Sequence, residues 1–200
     1  MGTNANKVFV GMADQSATTG ALARGAVIAG TSIPSAADID SALALIANFS
    51  TSGYVSEEGA TLTTEISTTD LREWNRSIVR RLLDEFTGTI TLTLIQLDEE
   101  SAKQAFGADN VTVAAATSTT GTQLRVALGA TIDKPQAWAL RMKDGDARML
   151  VIIPNGQVTS GVEITFVANE PISLPVTISA NDDGTGHSIY IFTDDGVIAA

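Results

Sequence analysis

Along much of the chain, apolar and polar residues alternate with a period of two. The cleanest run is Thr89-Ile90-Thr91-Leu92-Thr93-Leu94, within a long strand predicted over residues 78–96. One face of such a strand is buried and the other meets solvent. Shorter strands are predicted at 8–10, 26–29, 60–67, 111–116, 124–128, 137–143, 147–153, 162–168, 172–180 and 189–192. Turn chemistry separates them: Gly53-Tyr54-Val55-Ser56-Glu57-Glu58-Gly59, Asp144-Gly145-Asp146, Pro154-Asn155-Gly156 and the Gly/Asp loop 182–186. The polar stretch 68–76 interrupts two strand-like segments and reads as a long hairpin loop.

The helical period is rare. In 98–107, Asp98 can cap a helix, Glu99 and Glu100 suit its positive end, and Gly107 can close it in the left-handed conformation. Residues 36–48 carry Ile39, Leu43 and Ile46 at helical spacing after Ser35, and read either as a helix or as a loop that enters a strand by Phe49.

Short, closely spaced strands with one well-signalled helix predict a mainly β fold. It is a β-sandwich or barrel-like architecture with one short flanking α-helix and a long hairpin loop. The expected organisation is an N-terminal arm and first strand over 1–35, then one β-sandwich domain over 36–200. No repeat of fixed period is present.

Composition reinforces this reading. The aliphatic content is high, aromatics make up 5% of the residues, and Thr is abundant, which favours a pleated, half-buried surface. The net charge of −11 argues against gripping nucleic acid or an anionic membrane, because both need clustered Lys and Arg. It does not oppose a protein past which DNA slides without sticking. With no cysteine, disulfides, thiolate metal sites and cysteine nucleophiles are excluded. No secretory signal is read in residues 1–7, and the apolar run 149–153 is too short to span a bilayer. The expectation is a soluble product made in a cytoplasm.

Candidate chemistry is sparse. His187, the one histidine, lies in a Gly-rich turn and reads as polar surface rather than as part of a triad. Glu57-Glu58 and Glu99-Glu100 are neighbours in sequence, not carboxylates facing each other across a cleft. Asp182-Asp183-Gly184 and Asp144-Gly145-Asp146 lack the full spacing of a calcium loop and read as turns. The expectation is no enzyme, no cofactor and no metal.

Two stretches carry a resemblance: Gly53-Tyr54-Val55-Ser56-Glu57-Glu58-Gly59-Ala60-Thr61-Leu62, and Ser67-Thr68-Thr69-Asp70-Leu71-Arg72-Glu73-Trp74 followed by Arg80-Arg81. They resemble the signature region of the major tail (tail tube) proteins of long-tailed, non-contractile bacteriophages, the siphophages. The likeness continues through 86–107, Trp138-Ala139-Leu140, 149–154 and 172–178. No added immunoglobulin-like C-terminal segment is read.

The resemblance implies rings of subunits, usually six, whose inner sheets join into a β-lined tube. The rings stack through a long hairpin loop and terminal arms. The tube encloses a tape-measure protein, works with tail terminator and tail-tip proteins, and later conducts DNA through its lumen without specific binding or membrane contact. The place of such a protein is the virion tail, after synthesis in the host cytoplasm.

The segment 68–81 holds four of the twelve Lys plus Arg residues of an acidic chain. With the resemblance, this makes Thr69, Asp70, Leu71, Arg72, Trp74, Arg76, Arg80 and Arg81 the expected interface, with Trp74 as apolar anchor; the alternative is a solvated loop or the continuation of one strand. The rival functions are a ligand- or carbohydrate-binding β-sandwich of a virion or cell surface, an enzyme with a cryptic site, and a head–tail connector or contractile tail tube. Exposed aromatics that would stack on sugars are few.

Overall fold

A computed structural model describes residues 8–15, 19–130, 132–159 and 161–197. The first seven residues of the expected arm lie outside them. The strands are β1 (Met12–Ala13), β2 (Leu22–Gly25), β3 (Ser50–Thr51), β4 (Val55–Arg72), β5 (Ile78–Leu94), β6 (Val111–Ala114), β7 (Gln123–Val126), β8 (Gln136–Asp144), β9 (Ala147–Val158), β10 (Leu174–Ala180) and β11 (Tyr190–Asp194). Two helices, α1 (Ile39–Leu45) and α2 (Glu99–Phe106), accompany them.

The main sheet has the order β3-β2-β8-β9-β10-β5-β4, with β1 on β8 and β11 on β9, while β6 and β7 form a separate ribbon. β9 organises the fold. One edge of it pairs with β8; the other is shared, β11 taking Arg148–Ile152 and β10 taking Gly156–Val158. The sheet therefore turns over at Pro154-Asn155, and its two parts face each other as a sandwich that does not close into a barrel.

The residues dictate which faces meet. Alternate side chains of β2, β8 and β9 (Leu22, Trp138, Leu140, Val151, Ile153) pack against Ile90, Leu92, Leu94, Leu174, Val176 and Ile178 of β5 and β10. The other set (Ala23, Ala139, Leu150, Ile152) packs with Phe192 under α1. Strands covered on both faces read as continuous apolar runs, which explains 149–153. Gly156 allows the tight crossing: a Cβ there would sit 2.9 Å from Trp138 Cδ1 and 2.8 Å from Ile153 Cγ2. Its carbonyl accepts the Trp138 indole N–H at 3.3 Å.

Several expectations are corrected. Pro154-Asn155-Gly156 is a bend inside β9, because both flanking halves find partners there. Residues 26–29 are not a strand; the ladder is formed just before them by β2, opposite β8. Residues 8–10 lie before the two-residue β1. The 36–48 segment is a helix, capped by Asp38 rather than Ser35, with Asp38 Oδ1 accepting from the Asp40 and Ser41 N–H groups. The second helix forms as read: Asp98 accepts from Ser101 N at 2.7 Å, and Gly107 closes it at φ 88°. The loop expected over 68–76 is mostly ladder, since β4 runs on to Arg72 opposite β5. The strand expected at 162–168 does not form: that segment has no ladder partner among the described residues.

Candidate functional site

The β4–β5 hairpin leaves the body of the protein. From Thr64 opposite Gly88 to Glu73 is nine residues, roughly 30 Å of strand at ~3.3 Å per residue. Outside the body it has no sheet on either face, and every residue from 71 to 87 is exposed. Two pairing irregularities shape it. The first leaves Asp84 without an opposite residue and the second does the same for Val79. Each bulge shifts the alternation, and the one at Asp84 puts Leu83 rather than Leu82 on the face of Phe86. Leu82 thus stands opposite Thr69 while its neighbour Leu83 stands opposite Thr68.

The expected interface residues divide into a held set and a free set. Asp70 accepts from Arg81 Nε at 2.9 Å and from Arg72 Nη2 at 3.4 Å. Thr69 donates its hydroxyl to Asp84 at 2.7 Å. Arg72 also donates to the Arg76 carbonyl at 3.1 Å, tying the strand to the turn. Such exposed pairs contribute little to stability, but they fix side-chain directions. Leu71 is 53% exposed and Trp74 fully exposed at the apex. The guanidinium groups of Arg76 and Arg80 make no ion pair among the described residues.

The turn is built by hydrogen bonds from Arg76 N to Glu73 O at 2.9 Å and from Glu73 N to Ser77 O at 3.0 Å. This is a type I turn followed by a left-handed residue, a position that favours Gly or Asn. Here it is Arg76, at φ 68°. A charged residue thus occupies the one conformation in the turn that costs it energy.

Sequence reasoning missed the apolar part of the surface. Ile66 and Phe86 lie opposite each other, 67% and 41% exposed, on the face that becomes core lower in the hairpin; Leu83 and Val79 are 67% and 65% exposed. Leu82-Leu83 shows no alternation because each faces a different side of the ribbon, and the bulge at Asp84 sets Phe86 and Leu83, three residues apart, on one face. A two-stranded ribbon is marginal by itself, and contiguous exposed apolar surface of this kind marks an interaction site.

The other candidate chemistry resolves into loop structure. Asp183 accepts from the Tyr190 hydroxyl at 2.6 Å and the Thr185 hydroxyl and N–H at 2.7 and 2.8 Å. Burial pushes its carboxyl up, but these donors together hold it down at about 2. His187 packs beside Tyr190 with ring centroids 5.8 Å apart, its Nδ1 3.2 Å from the Thr185 hydroxyl. Among the described residues, no group of His, Asp or Glu is arranged to hold a metal ion, and no helix is long and apolar enough to cross a membrane.

No curated protein matches this sequence. A family model described as "Phage tail tube protein" matches residues 1–199.

Proposed function

Because the chain belongs to the phage tail tube protein family, a family of structural proteins of the virion tail that assemble into a tube, we propose that copies of it form six-membered rings. The rings stack into the tube of a long, non-contractile tail, and the β4–β5 hairpin joins neighbouring copies. The role is structural, without catalysis. The observation that carries this reading is the hairpin itself, a ribbon roughly 30 Å long with apolar side chains on both faces and a fully exposed Trp74 at its apex.

The remaining features support the same picture. β4 is the end strand of the main sheet, so its outer backbone edge is open to pairing with another chain. Contacts between unlike surfaces close into rings within a layer and run on as open stacks between layers. A net charge of −11 gives the tube wall a field that repels phosphate over about 8 Å at physiological salt, so DNA passes along an acidic lumen without sticking. On this reading the tube encloses a tape-measure protein, meets terminator and tail-tip proteins at its ends, and is assembled from subunits made in the host cytoplasm.

The test is electron microscopy of the purified protein, concentrated at physiological salt, together with its mass in solution. Hollow tubes or rings with six-fold symmetry are the expected result. A species that remains monomeric even with tape-measure and tail-tip proteins added would overturn the proposal.

A further inference from the structure

Between the C-terminal end of α2 and residues 157–159 at the end of β9 lies a groove of about 470 Å³. Phe106, Leu128, Ile132 and Val162 line it together with Asp133, and Leu128 and Ile132 are 72% and 79% exposed. Two features of it are incomplete. Asp133 Oδ2 is buried and has no hydrogen-bond partner among the described residues; a buried acceptor left in that state is costly to the free subunit. The second is the segment leading out of the groove. Val162-Glu163-Ile164-Thr165-Phe166 alternates as a strand should, and Val162 and Ile164 pack on the core. Yet no residue from 161 to 173 pairs in a ladder with the described residues, beyond a local turn at 168–169, and Phe166 is 76% exposed. The segment has a strand's sequence and one packed face, and its backbone edge is open.

The hairpin supplies what this site lacks. We propose that the groove receives the hairpin tip of a second copy of the chain, with Trp74 entering between Phe106, Leu128 and Ile132. A donor of the incoming tip, the indole N–H or the Arg76 guanidinium, satisfies Asp133. The outer edge of the incoming β4 runs beside 162–168 and completes it as a strand. The chain cannot do this to itself. Thr159 N bonds Thr177 O beside the groove, and Thr177 lies opposite Thr91. From Thr91 to Ile78 is thirteen residues, so the chain's own tip stands roughly 40 Å farther along the strand. The occupant is therefore another molecule, and tip and groove, unlike surfaces roughly 40 Å apart on one chain, give the unlike contact that stacks without closing.

Charge agrees. The tip brings Arg72, Arg76 and Arg80, and the receiving end presents Glu163 and Glu170, both exposed. Trp and Arg seated in an apolar pocket are the residues that dominate protein–protein affinity. Two other grooves fit less well. The one at Asp144, Asp146 and Asp194 already has Asp144 and Asp194 engaged by Val10 N and Arg148. The one at Phe86 and His187 uses the chain's own hairpin as a wall.

This inference rests on the proposed self-assembly and adds the partner surface for its hairpin. The absence of cysteine makes the test direct. Asn75→Cys and Ile132→Cys variants, both at exposed positions, are mixed, assembled and mildly oxidised. Disulfide-linked dimers are expected from the mixture, with little from either variant alone or from Asn75→Cys mixed with Asp146→Cys. Tubes that form normally without the 75–132 link overturn the groove assignment and leave self-assembly standing. Failure of the unaltered protein to form any tube overturns both.

Discussion

The guanidinium of Arg24 donates a hydrogen bond to the Lys103 carbonyl oxygen at 2.6 Å, pinning the last turn of α2 to β2. Arg24 is 7% exposed and its charge sits 6.0 Å over the Trp138 ring. Burial lowers its pKa, partly offset by Asp133 and Glu100. A cation here also meets the negative end of the helix. Arg24→Ala removes this charged donor, leaves the Lys103 carbonyl only its bond from Gly107 N at 3.0 Å, and removes packing over Trp138. The expected loss is about 2–3 kcal/mol, seen as a fall in melting temperature of roughly 5–10 °C. Because α2 carries Phe106 to the groove, assembly is expected to weaken as well. A thermal melt within about 2 °C of the unaltered protein would show that α2 does not depend on this contact.

Trp74 separates folding from assembly. Its side chain is fully exposed and touches no core cluster, so Trp74→Ala is expected to change monomer stability by less than about 0.5 kcal/mol. The same change removes the apolar anchor of the hairpin, so tube formation is expected to fail or to need a concentration at least about tenfold higher, the equivalent of ~1.4 kcal/mol. Circular dichroism and electron microscopy on one sample read the two effects. Unaltered assembly would remove the apex from the interface.

The two segments most plainly misread in the sequence share one cause. Residues 68–72 are polar and were expected to be a loop, yet they are strand, because β5 supplies a partner and neither face has a core to write an alternation into the sequence. Residues 162–168 alternate well and read as a strand, yet they have no ladder partner among the described residues. Pattern records which face is buried, whereas strand formation requires a neighbouring edge. Where capping or a two-sided core is local, as in α2 with Asp98 and Gly107 or in β5 over 89–94, the reading was complete. The groove around Asp133 had no signal, because Phe106 of α2, Leu128, Ile132, Gln157 and Val162 converge only in three dimensions.

The loop between β10 and β11 is expected to be acid-sensitive. Asp183 is held at about 2, below its ordinary 3.8, despite the opposing effect of burial, by donors from Tyr190 and Thr185. A depressed carboxyl contributes stability that is full above 3.8 and is lost as pH falls through about 2. The 181–189 loop should therefore loosen between these values. Tyr190→Phe removes one donor, so the Asp183 carboxyl should titrate closer to 3.8 in NMR. No movement on this change would mean that the Thr185 contacts alone hold it.

Arg76 allows conformation and charge at the apex to be told apart. It adopts φ 68°, where a residue with a Cβ is strained by about 1–2 kcal/mol and glycine is not. Arg76→Gly should therefore firm the turn, and the Glu73 and Arg76-position N–H groups that bond to Ser77 O and Glu73 O should exchange with solvent more slowly, by about fivefold or more for ~1 kcal/mol. If the turn served only to reverse the chain, a firmer turn would assemble at least as well. If the guanidinium itself meets a carboxylate on the neighbouring copy, assembly should weaken although the turn has become more rigid. The weakening should shrink as salt is raised, since the unaltered protein loses the same attraction. Arg76→Lys keeps a charge and the strain together, and is expected to assemble better than Arg76→Gly while exchanging faster. Arg76→Gly assembling at least as well as Arg76→Lys would assign Arg76 to turn geometry alone, and Arg76→Gly exchanging faster than Arg76→Lys would show that φ 68° is not what strains the turn.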